Sequence, residues 1–426
     1  MTEFLRWHLA QVRHGGRPVL LRKVKRCLCL PHEFLLAVAC IPLVVVIRLI
    51  RPWILIRWDK LPGPRIGHFA AYPEIYLCER DFGFNVPKQH HVDLFSIDKP
   101  VCNHQLAKMW KRILRVWPNW IVSSLRRCNS IIPGGKLHQI CHDSHSDRDI
   151  HNLMDQCSPH LQFTAEEENR GSAELTKIGI PKNMPFVCLI VRDAAYLAGH
   201  QAKDWSYLDY RDSNIGSYLL AAEALADMGY FVIRMGARVN QSLKSTNPKV
   251  IDYATNSMRS DFMDIYLGSK CQFCISTSTG FDAVPLIFRR PIVFVNIVPI
   301  GYLHTSSAKN ISIIRHHFDT RNGQAMTLKE IFAHGVGFSL RTSDYESRGI
   351  QLVENSAEEI SEVVIEMAKR LEGIWQKGPD DDDLQSKFWR IFPTEAVDTY
   401  KLPLHGLVRS RIGSHFLHLN RKILES

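Results

Sequence analysis

The stretch that decides the fold is residues 271–297, CQFCISTSTGFDAVPLIFRRPIVFVNI. CQFCIS predicts a buried strand, FDAVPLIFR a helix and RPIVFVNI the next strand. Four hydroxyl residues and a glycine, STSTG, form the corner between the first strand and the helix. An apolar strand that turns through a short corner into a helix and then into another apolar strand predicts a parallel β-α-β unit.

The same alternation continues toward the amino terminus. PFVCLIVRD (185–193) and YFVIRMGA (230–237) predict buried strands, and RSDFMDIYLGS (259–269) predicts a helix. Between the two strands, apolar residues recur at helical spacing until Gly229 ends the helix, at Ile215, Leu219, Ala222 and Leu225. Strands that alternate with helices over about 110 residues are typical of a parallel sheet.

An earlier unit of the same kind starts at residue 52. PWILIRW predicts a strand, residues 62–67 a glycine- and proline-rich corner, and the following residues a helix that starts near His68. Two such halves predict an α/β fold of GT-B-like architecture, in which two Rossmann-type domains face each other across a cleft. We expect a membrane-associating helical segment at 1–52, Rossmann-like domains at 53–180 and 181–375, and helices at 376–426 that cross back to the first domain.

The charge of the chain is concentrated near the amino terminus. The formal net charge is +10, and residues 1–60 hold eleven Lys or Arg against three acidic residues, an excess of +8. The other residues are therefore close to neutral, which argues against a nucleic-acid-binding surface spread over the fold. Among the eleven cysteines, Cys188, Cys271 and Cys274 lie in apolar strands and are predicted to be core residues of a reducing compartment.

An unbroken apolar run of fourteen residues occupies positions 34–47, FLLAVACIPLVVVI. This run is shorter than the roughly 20 residues that cross a bilayer. Basic residues on both sides (Arg22, Lys23, Lys25, Arg26, Arg48 and Arg51) instead predict an interfacial segment that contacts an anionic membrane surface. The alternative is a buried core helix with a solvated basic face.

The STSTG corner can be interpreted in two ways. Its hydroxyls and free backbone N–H groups, with the positive end of a helix from Phe281, would form a neutral cradle for a diphosphate; the hydroxyl residues are Ser276, Thr277, Ser278 and Thr279. Gly280 would let the ligand approach the backbone closely. The alternative is a turn that caps a buried helix.

Four arginines favour the first interpretation. They lie at or just beyond the ends of predicted parallel strands: Arg192, Arg211, Arg234 and Arg238. The carboxyl ends of parallel strands share one edge, so these side chains are expected to face the cradle. Cationic groups there would stabilise the charge that develops on a leaving nucleoside diphosphate.

Six longer blocks carry a resemblance to a known family. VRDAAYL, YRDSNIGSY, GYFVIRMG, RSDFMDIYL, STSTGFDAVPLIFRRPIVFVN and GYLH resemble the signature blocks of a bacterial glycosyltransferase family associated with surface-polysaccharide gene clusters. The resemblance extends from RIGHFA to LHGLVRSRIGSHFL, over most of the chain. In addition, Arg192 resembles the strand-end arginine of fucosyltransferase-type GT-B enzymes, which meets the nucleotide phosphates.

The resemblance implies transfer of a sugar from a nucleotide-sugar to a glycan or lipid-linked acceptor in lipopolysaccharide or other polysaccharide biosynthesis. The neutral cradle predicts that no metal or other cofactor is needed. The amino-terminal segment predicts a peripheral or monotopic place on the cytoplasmic face of the inner membrane, where the resemblance implies the bacterial context. The first domain would hold the acceptor and the second the nucleotide-sugar.

Candidate groups for the chemistry follow from their positions. His68, at the glycine corner, is the candidate base, because imidazole titrates near neutral pH, and Asp193 is the second candidate; a helix-capping role for His68 is the alternative. Asp212 is expected to cap a helix. Asp282 would accept from sugar hydroxyls or complement the helix dipole, and Tyr302 and His304 would close over the base or sugar.

Three rival interpretations remain open. Asp147 and Asp149 form a DxD, the motif with which GT-A enzymes hold a divalent ion, although a solvated loop is the simpler interpretation. A two-domain cleft of this kind also serves nucleotide-sugar epimerases. A membrane-associated scaffold that keeps an inactive nucleotide fold is the non-enzymatic alternative.

Overall fold

The computed structural model describes residues 38–141, 147–198 and 205–425, together with residues 11–13, 16–17, 19–21, 23–24 and 35–36. The described strands are β1 (Leu55–Leu61), β2 (His91–Ile97), β3 (Phe186–Ile190), β4 (Phe231–Arg234), β5 (Val250–Asp252), β6 (Cys274–Ser276), β7 (Ile292–Ile297), β8 (Ile311–Ile314), β9 (His316–Asp319), β10 (Gln324–Ala325), β11 (Ile350–Val353) and β12 (Arg411–Ile412). Within the same residues, no helix has both the length and the apolar character needed to cross a membrane.

Helices connect and cover these strands. They are α1 (Ile41–Leu49), α2 (Ile66–Asp81), α3 (His104–Ile113), α4 (Asn119–Ile131), α5 (Ala165–Ile178), α6 (Ala195–Ala198), α7 (Leu219–Asp227), α8 (Asp261–Lys270), α9 (Ala283–Ile287), α10 (Leu328–Ala333), α11 (Thr342–Glu346), α12 (Ala357–Leu371), α13 (Asp381–Ile391) and α14 (Ser414–Leu419). Short 3₁₀ turns lie at Gly135–His138, Ser206–Arg211, Ile215–Tyr218, Ile300–Tyr302 and Arg421–Leu424.

The larger sheet has seven strands in the order β12-β8-β7-β6-β3-β4-β5, and all of its pairings are parallel. Every residue of β3, β4, β6, β7 and β8 is buried, as expected for strands covered by helices on both faces. The predicted α/β alternation is therefore confirmed for this half of the chain. Cys188, Cys271 and Cys274 are each 0 % exposed, so their predicted place in the core is also confirmed.

The first α/β region is smaller than a full Rossmann sheet. Its core is one parallel pair, β1 and β2, in register from Leu55 opposite His91 to Leu61 opposite Ile97. Single parallel bridges extend the pair on each side, at Gln139 beside β1 and Val116 beside β2. Helix α2 lies on the face where Tyr76 contacts Phe95, with ring centroids 5.0 Å apart.

Helices α1 and α4 cover the opposite face of this pair. Val44 and Ile47 of α1 and Val122, Leu125 and Cys128 of α4 form one buried cluster with the strand residues Trp58 and Leu94. Residues 34 and 37 of the predicted apolar run, and the basic residues Arg22, Lys25 and Arg26 before it, lie outside the described residues.

The two α/β regions meet at their glycine corners. A Cβ at Gly67 would lie only 3.0 Å from the Cα of Gly280, so the backbones of the two corners are in direct contact. The buried ion pair between Glu74 of α2 and Arg289, 2.6 Å apart, is a second link. Within residues 376–426, β12 joins the large sheet beside β8, and Phe388 and Phe416 enter the large core, while the loop at Leu407 exchanges hydrogen bonds with Asn152.

Candidate active site

Three neighbouring strands of the large sheet, β7, β6 and β3, deliver the candidate residues to its carboxyl edge. Arg192 follows β3, the STSTG corner follows β6, and the loop to Tyr302 and His304 follows β7. Ligands of open parallel sheets bind at this edge, because loops from adjacent strands diverge there and leave a crevice.

Within the STSTG corner, two hydroxyls serve the protein itself. The Ser276 hydroxyl donates to the Asp282 carboxylate at 2.9 Å, and the Thr277 hydroxyl accepts the backbone N–H of Arg192 at 2.9 Å. Ser276 and Thr277 are 0 % and 3 % exposed. These two side chains therefore hold the corner in shape, and the predicted cradle of four ligand-facing hydroxyls is wrong for them.

The other half of the corner faces outward. Ser278 adopts a left-handed backbone, with φ of 56°, and its carbonyl accepts a hydrogen bond from Arg211. The Thr279 hydroxyl is buried and has no hydrogen-bond partner among the described residues. An orphaned polar atom of this kind calls for a partner that the protein does not supply. The ligand-facing part of the corner is thus Ser278 to Gly280, with Gly280 exposed.

The predicted cradle helix is shorter than expected. It begins at Ala283 instead of Phe281 and has five residues, so its dipole is a weak source of positive potential. Asp282 stands before it and is 6 % exposed, bonded to Ser276, so it is not presented to sugar hydroxyls as expected. Burial raises the pKa of the Asp282 carboxyl to about 7, although Ser276 and Arg211 oppose the shift.

Two arginines come together beside the corner. Arg192 donates through Nε to Asp212 at 3.1 Å, and Arg211 donates to the Ser278 carbonyl. Burial and the neighbouring Arg211 guanidinium lower the pKa of Arg192, which shows that two like charges are close in a partly desolvated place. Asp212 therefore pairs with Arg192 instead of capping a helix as predicted; Asn214 caps the next turn.

The other two predicted arginines lie elsewhere. Arg234 is 1 % exposed and pairs with Asp252 at the end of β5, at 3.3 Å. Its charge is therefore balanced inside the protein, and the expectation that it faces the cradle is wrong. Arg238 is exposed in the loop after β4, near enough to Tyr196 to influence the pKa of that phenol.

The two candidate bases differ in their surroundings. His68 lies in the first turn of α2, one residue after the Gly67 that contacts Gly280, and is half-buried. Asp193 accepts the backbone N–H groups of Ala195 and Asn240, each at 2.9 Å. Each carboxylate oxygen thus helps to hold the loop together, which gives Asp193 a structural role, and its role as a base stays a prediction.

The DxD segment joins the site through Arg148, a residue that sequence reasoning missed. Arg148 is 8 % exposed and donates to the carbonyls of Tyr302 and Leu303, both at 3.0 Å. Asp149 is also 8 % exposed and accepts the backbone N–H groups of Leu153 and Met154, at 2.9 Å each. Because Arg148 and Asp149 are buried, this segment is not a solvated loop. Because the Asp149 carboxylate is bonded to backbone N–H groups, the segment does not offer two free carboxylates to a metal ion.

Arg148 orders the loop after β7. Its guanidinium carbon lies 5.6 Å from the centre of the Tyr302 ring, and the His304 ring stacks on Phe294 with centroids 4.7 Å apart. Burial lowers the pKa of His304 to about 3, so its imidazole is neutral at physiological pH. Asp147, Asp149 and His304 line one small cavity with Leu286 of α9, which places the loop against the helix that follows the corner.

Arg315 is a second residue that the sequence analysis missed. It directly follows β8 and donates to the carbonyls of Tyr210, at 2.6 Å, and Asp212, at 3.0 Å. These bonds hold the 3₁₀ turn that carries Arg211. A strand-end arginine was the signal that identified Arg192, and the same signal would have identified Arg315 if β8 had been recognised.

One cluster among the described residues has the atoms of a metal site: Glu74, Cys78 and His160, whose ligand atoms lie within 4.8 Å of one another. Arg289 donates to Glu74 at 2.6 Å and lies 3.3 Å from the Cys157 sulfur. Hydrogen bonds from His160 to Glu74 and Asp81 raise the pKa of its imidazole against burial. The Arg289 guanidinium, paired with Glu74, opposes a metal ion, so the cluster is better described as a hydrogen-bonded ion-pair network.

The site as a whole is suited to an anion. Asp212 pairs with Arg192, whereas Arg211 donates to the Ser278 carbonyl. The buried Nε atoms of Arg211 and Arg315 lack hydrogen-bond partners among the described residues, as does the Thr279 hydroxyl. Unsatisfied donors beside an excess of positive charge are what a bound phosphate group would satisfy.

Comparison with solved structures gives several bacterial glycosyltransferases. A glycosyl transferase family 9 protein from Veillonella parvula DSM 2008 covers 75% of this chain and 96% of its own, at 10% identity and a TM-score of 0.41. The E. coli ADP-heptose LPS heptosyltransferase II covers 61% of this chain and 90% of its own, at 12% identity and a TM-score of 0.36. E. coli heptosyltransferase WaaC with ADP-2-deoxy-2-fluoro heptose covers 61% and 93%, at 9% identity and a TM-score of 0.31.

Neither a family model nor a curated protein matches the chain. Identities and scores as low as those of the solved structures do not by themselves assign a family or an activity to it. A functional conclusion therefore depends on the carboxyl edge of the seven-stranded sheet. Arg192, Arg211 and the Thr279 hydroxyl lie there, at and beside the STSTG corner.

Proposed function

We propose that the chain is a glycosyltransferase of GT-B type that moves a sugar from a nucleotide-sugar to an acceptor hydroxyl of a surface glycan or its lipid-linked precursor. The observation that carries the proposal is the convergence of Arg192 and Arg211 beside the STSTG corner, where Arg211 Nε and the Thr279 hydroxyl lack partners among the described residues. Two guanidinium groups match a diphosphate, which carries two neighbouring anionic phosphates.

In this proposal, the diphosphate is bound by the side chains of Arg192, Arg211 and Thr279. As the bond between the anomeric carbon and the diphosphate oxygen breaks, negative charge develops on the leaving diphosphate. The guanidinium groups stabilise that charge from fixed positions: Asp212 holds Arg192, and the Ser278 carbonyl holds Arg211. No metal ion takes part in the proposed step.

The acceptor hydroxyl forms the new bond to the anomeric carbon and gives up its proton. His68 is the proposed base, because Gly67 brings the first turn of α2 into contact with Gly280 of the corner. The Tyr302 and His304 loop, ordered by Arg148, is proposed to contact the base or sugar of the donor.

We also propose that the protein works at the cytoplasmic face of a bacterial inner membrane, where lipid-linked acceptors are available. Residues 1–52, which hold the basic groups and the apolar run, would associate with the anionic membrane surface.

The test is a thermal-shift and calorimetric screen of the full-length protein with UDP, GDP, ADP, CMP and dTDP, each with Mg²⁺ and with EDTA. A ligand at a hundred times its Kd adds about 2.7 kcal/mol to the free energy of unfolding. One nucleoside diphosphate is expected to stabilise the protein equally with Mg²⁺ and with EDTA. Stabilisation only with Mg²⁺ would contradict the metal-free step, and no stabilisation by any nucleotide would contradict nucleotide-sugar binding.

Two variants locate the site. Arg192→Gln and Arg211→Gln are each expected to weaken the nucleotide roughly tenfold or more, since each removes a charge-assisted contact to phosphate. Arg321→Gln is the matched control, because Arg321 is exposed in the β9–β10 turn and pairs with Asp319 at 2.6 Å. Full affinity in both site variants would place the nucleotide elsewhere. Sugar turnover without an acceptor would instead favour an epimerase.

A further inference from the structure

Helix α1 has two apolar faces, of which the protein covers one. Its sequence is IPLVVVIRL, and its buried residues are Val44 and Ile47. The outward side is also apolar: Leu43, Val46 and Leu49 are 48 %, 51 % and 67 % exposed. A helix that is apolar all round is typical of a segment covered on every side, either by protein or by lipid.

Helix α4 lies in the same layer and exposes two large apolar side chains on its outer side among polar ones. Val122 and Leu125 face the β1–β2 pair together with Val44 and Ile47, so the outer faces of α1 and α4 lie on one side of the molecule. On that outer side, Trp120 is 62 % exposed and Ile131 is 78 % exposed. Trp53, just after α1, is 75 % exposed. Exposed tryptophans beside aliphatic side chains are enriched where proteins meet the headgroup region of a bilayer.

The charges of this surface all have one sign. Residues 38–58 and 116–140, which contain α1 and α4, hold six Lys or Arg and no Asp or Glu. Arg57 is buried in an ion pair with Asp93, whereas Arg51, Arg127 and Lys136 are exposed. Apolar residues surrounded by cations match a layer of acyl chains beneath anionic headgroups.

A second copy of the chain fits this surface less well. A symmetric dimer places the same patch on both partners, so the cations of one copy would approach the cations of the other without any carboxylate from these two stretches between them. An anionic bilayer supplies both the apolar layer and the opposite charge.

We infer that the outer faces of α1 and α4, with Trp53 (the α1/α4 face), dock on an anionic lipid bilayer. The inference builds on the proposed membrane association and extends it: residues 116–140, far from the amino-terminal segment in sequence, form part of the same membrane contact. Both helices would lie in the plane of the interface, with Trp53, Trp120 and Ile131 inserted.

The test is flotation of the full-length protein with vesicles of phosphatidylcholine alone or of phosphatidylcholine with an equal share of phosphatidylglycerol. The wild-type protein is expected to float with the anionic vesicles and to be released by high salt, which screens the charges. Trp120→Ser/Ile131→Ser is expected to lower the bound fraction about tenfold, since two inserted side chains are lost. The matched control is Leu407→Ser/Leu419→Ser, at 74 % and 61 % exposure outside the α1/α4 face, which is expected to bind as wild type.

The outcomes separate the two proposals. A wild-type protein that ignores anionic vesicles would contradict the membrane association itself and the inference with it. Strong binding that survives Trp120→Ser/Ile131→Ser would overturn the inference alone and leave the amino-terminal segment as the anchor. Light scattering that shows a dimer abolished by the same variant would identify the α1/α4 face as a protein interface and overturn the inference. Unchanged melting of both variants confirms that they fold.

Discussion

Two neighbouring corners of the large sheet carry an arginine near the end of a strand and use it differently. Just beyond β3, Arg192 keeps 15 % of its side chain exposed, pairs with Asp212 and lies close to Arg211. At the end of β4, Arg234 is 1 % exposed and pairs with Asp252 of the adjacent β5. A place near the carboxyl end of a strand therefore does not by itself make an arginine a candidate ligand-binding residue.

The difference lies in the balance of charge. Arg234 has its own carboxylate, and Asp252 is further held by the backbone N–H of Leu243 at 2.8 Å. At the β3 and β6 corners, Arg192 pairs with Asp212, Arg211 donates to the Ser278 carbonyl, and the Thr279 hydroxyl lacks a partner among the described residues. The Nε of Arg234 also lacks a partner there, but its charge is already paired, whereas an anion at the second site would gain the Arg211 charge and the Thr279 hydroxyl.

Breaking the buried pair is expected to have the largest effect on stability. Arg234→Met removes the partner of Asp252 and leaves a largely buried carboxylate uncompensated, so we expect the free energy of unfolding to fall by about 3 kcal/mol or more. Urea unfolding monitored by circular dichroism measures it. At a protein concentration and temperature where the variant remains folded, its nucleotide affinity is expected to equal that of the wild type.

The exposed Arg321–Asp319 pair supplies the comparison for this variant. Arg321→Gln is expected to leave the urea midpoint unchanged, because solvent-exposed pairs contribute little. If Arg234→Met left stability intact but abolished nucleotide binding, the assignment of Arg234 as structural would be wrong and the two corners would be functionally equivalent.

The second prediction concerns pH and the buried carboxyl of the β6 corner. Because burial raises the pKa of Asp282 from 3.8 to about 7, the folded state holds this proton more tightly than the unfolded state between those values. Stability from this group is therefore fully present below about pH 4 and is lost as pH rises toward 7, by on the order of 4 kcal/mol in total.

Asp282→Asn removes that contribution while keeping an acceptor for the Ser276 hydroxyl. The difference in unfolding free energy between variant and wild type, measured by urea titration from pH 4 to pH 8, is expected to shift in favour of the variant as pH rises. Asp264, with a pKa raised to about 6, titrates in both proteins and cancels in the difference. A pH-independent difference would mean that Asp282 is ionised throughout this range.

The sequence predicted β3, β4, β6 and β7 of the large sheet, because these strands are apolar and separated by helices of normal spacing. It did not predict β5, β8 and β12. The first α/β region was less predictable: β1 and the corner after it were interpreted as the start of a Rossmann domain, yet the described sheet pairs β1 with β2, a strand that was not predicted, and extends this pair by single bridges. Periodicity identifies a strand but does not state how many neighbours it will have.

The candidate site was predicted in part, for a related reason. Arg192 and the STSTG corner were found because strand ends can be located from the sequence. Whether Arg234 pairs with Asp252, or whether Asp193 is occupied by the N–H groups of Ala195 and Asn240, depends on contacts between distant segments. Arg148 was missed for the same reason, since its partners lie more than 150 residues away at Tyr302 and Leu303.

The third prediction tests the contact between the two α/β regions. A Cβ at Gly67 would lie 3.0 Å from the Cα and 3.1 Å from the carbonyl oxygen of Gly280, both backbone atoms, whereas a Cβ at Gly280 would lie no closer than 3.3 Å to its neighbours. Gly67→Ala is therefore expected to cost about 1–2 kcal/mol and to displace α2 from the corner. Gly280→Ala is expected to cost less.

The melting temperature measures how much the contact between Gly67 and Gly280 stabilises the fold, and transferase turnover measures how much it matters for the reaction. Because His68 follows Gly67, turnover by Gly67→Ala is expected to fall more than nucleotide affinity does. Wild-type turnover by Gly67→Ala would show that the approach of α2 to the corner does not matter for the reaction, and it would remove the geometric support for His68.

The smallest expected effects come from the hydroxyls of Thr277 and Thr279, two residues apart in the STSTG corner. The first is bonded within the protein and the second lacks a partner among the described residues, so the pair repeats the comparison within one corner. Thr277→Val leaves the backbone N–H of Arg192 without its acceptor, so about 1 kcal/mol of stability should be lost. Thr279→Val removes a hydroxyl that has no partner among the described residues, so stability should be unchanged or slightly higher, while nucleotide affinity falls about threefold to tenfold. Urea unfolding measures the stability of both variants, and calorimetric titration measures their nucleotide affinities. The reverse assignment, in which Thr279→Val unfolds more readily and Thr277→Val alone loses affinity, would mean that the corner presents its inner hydroxyls to the ligand and that the outward cradle does not exist.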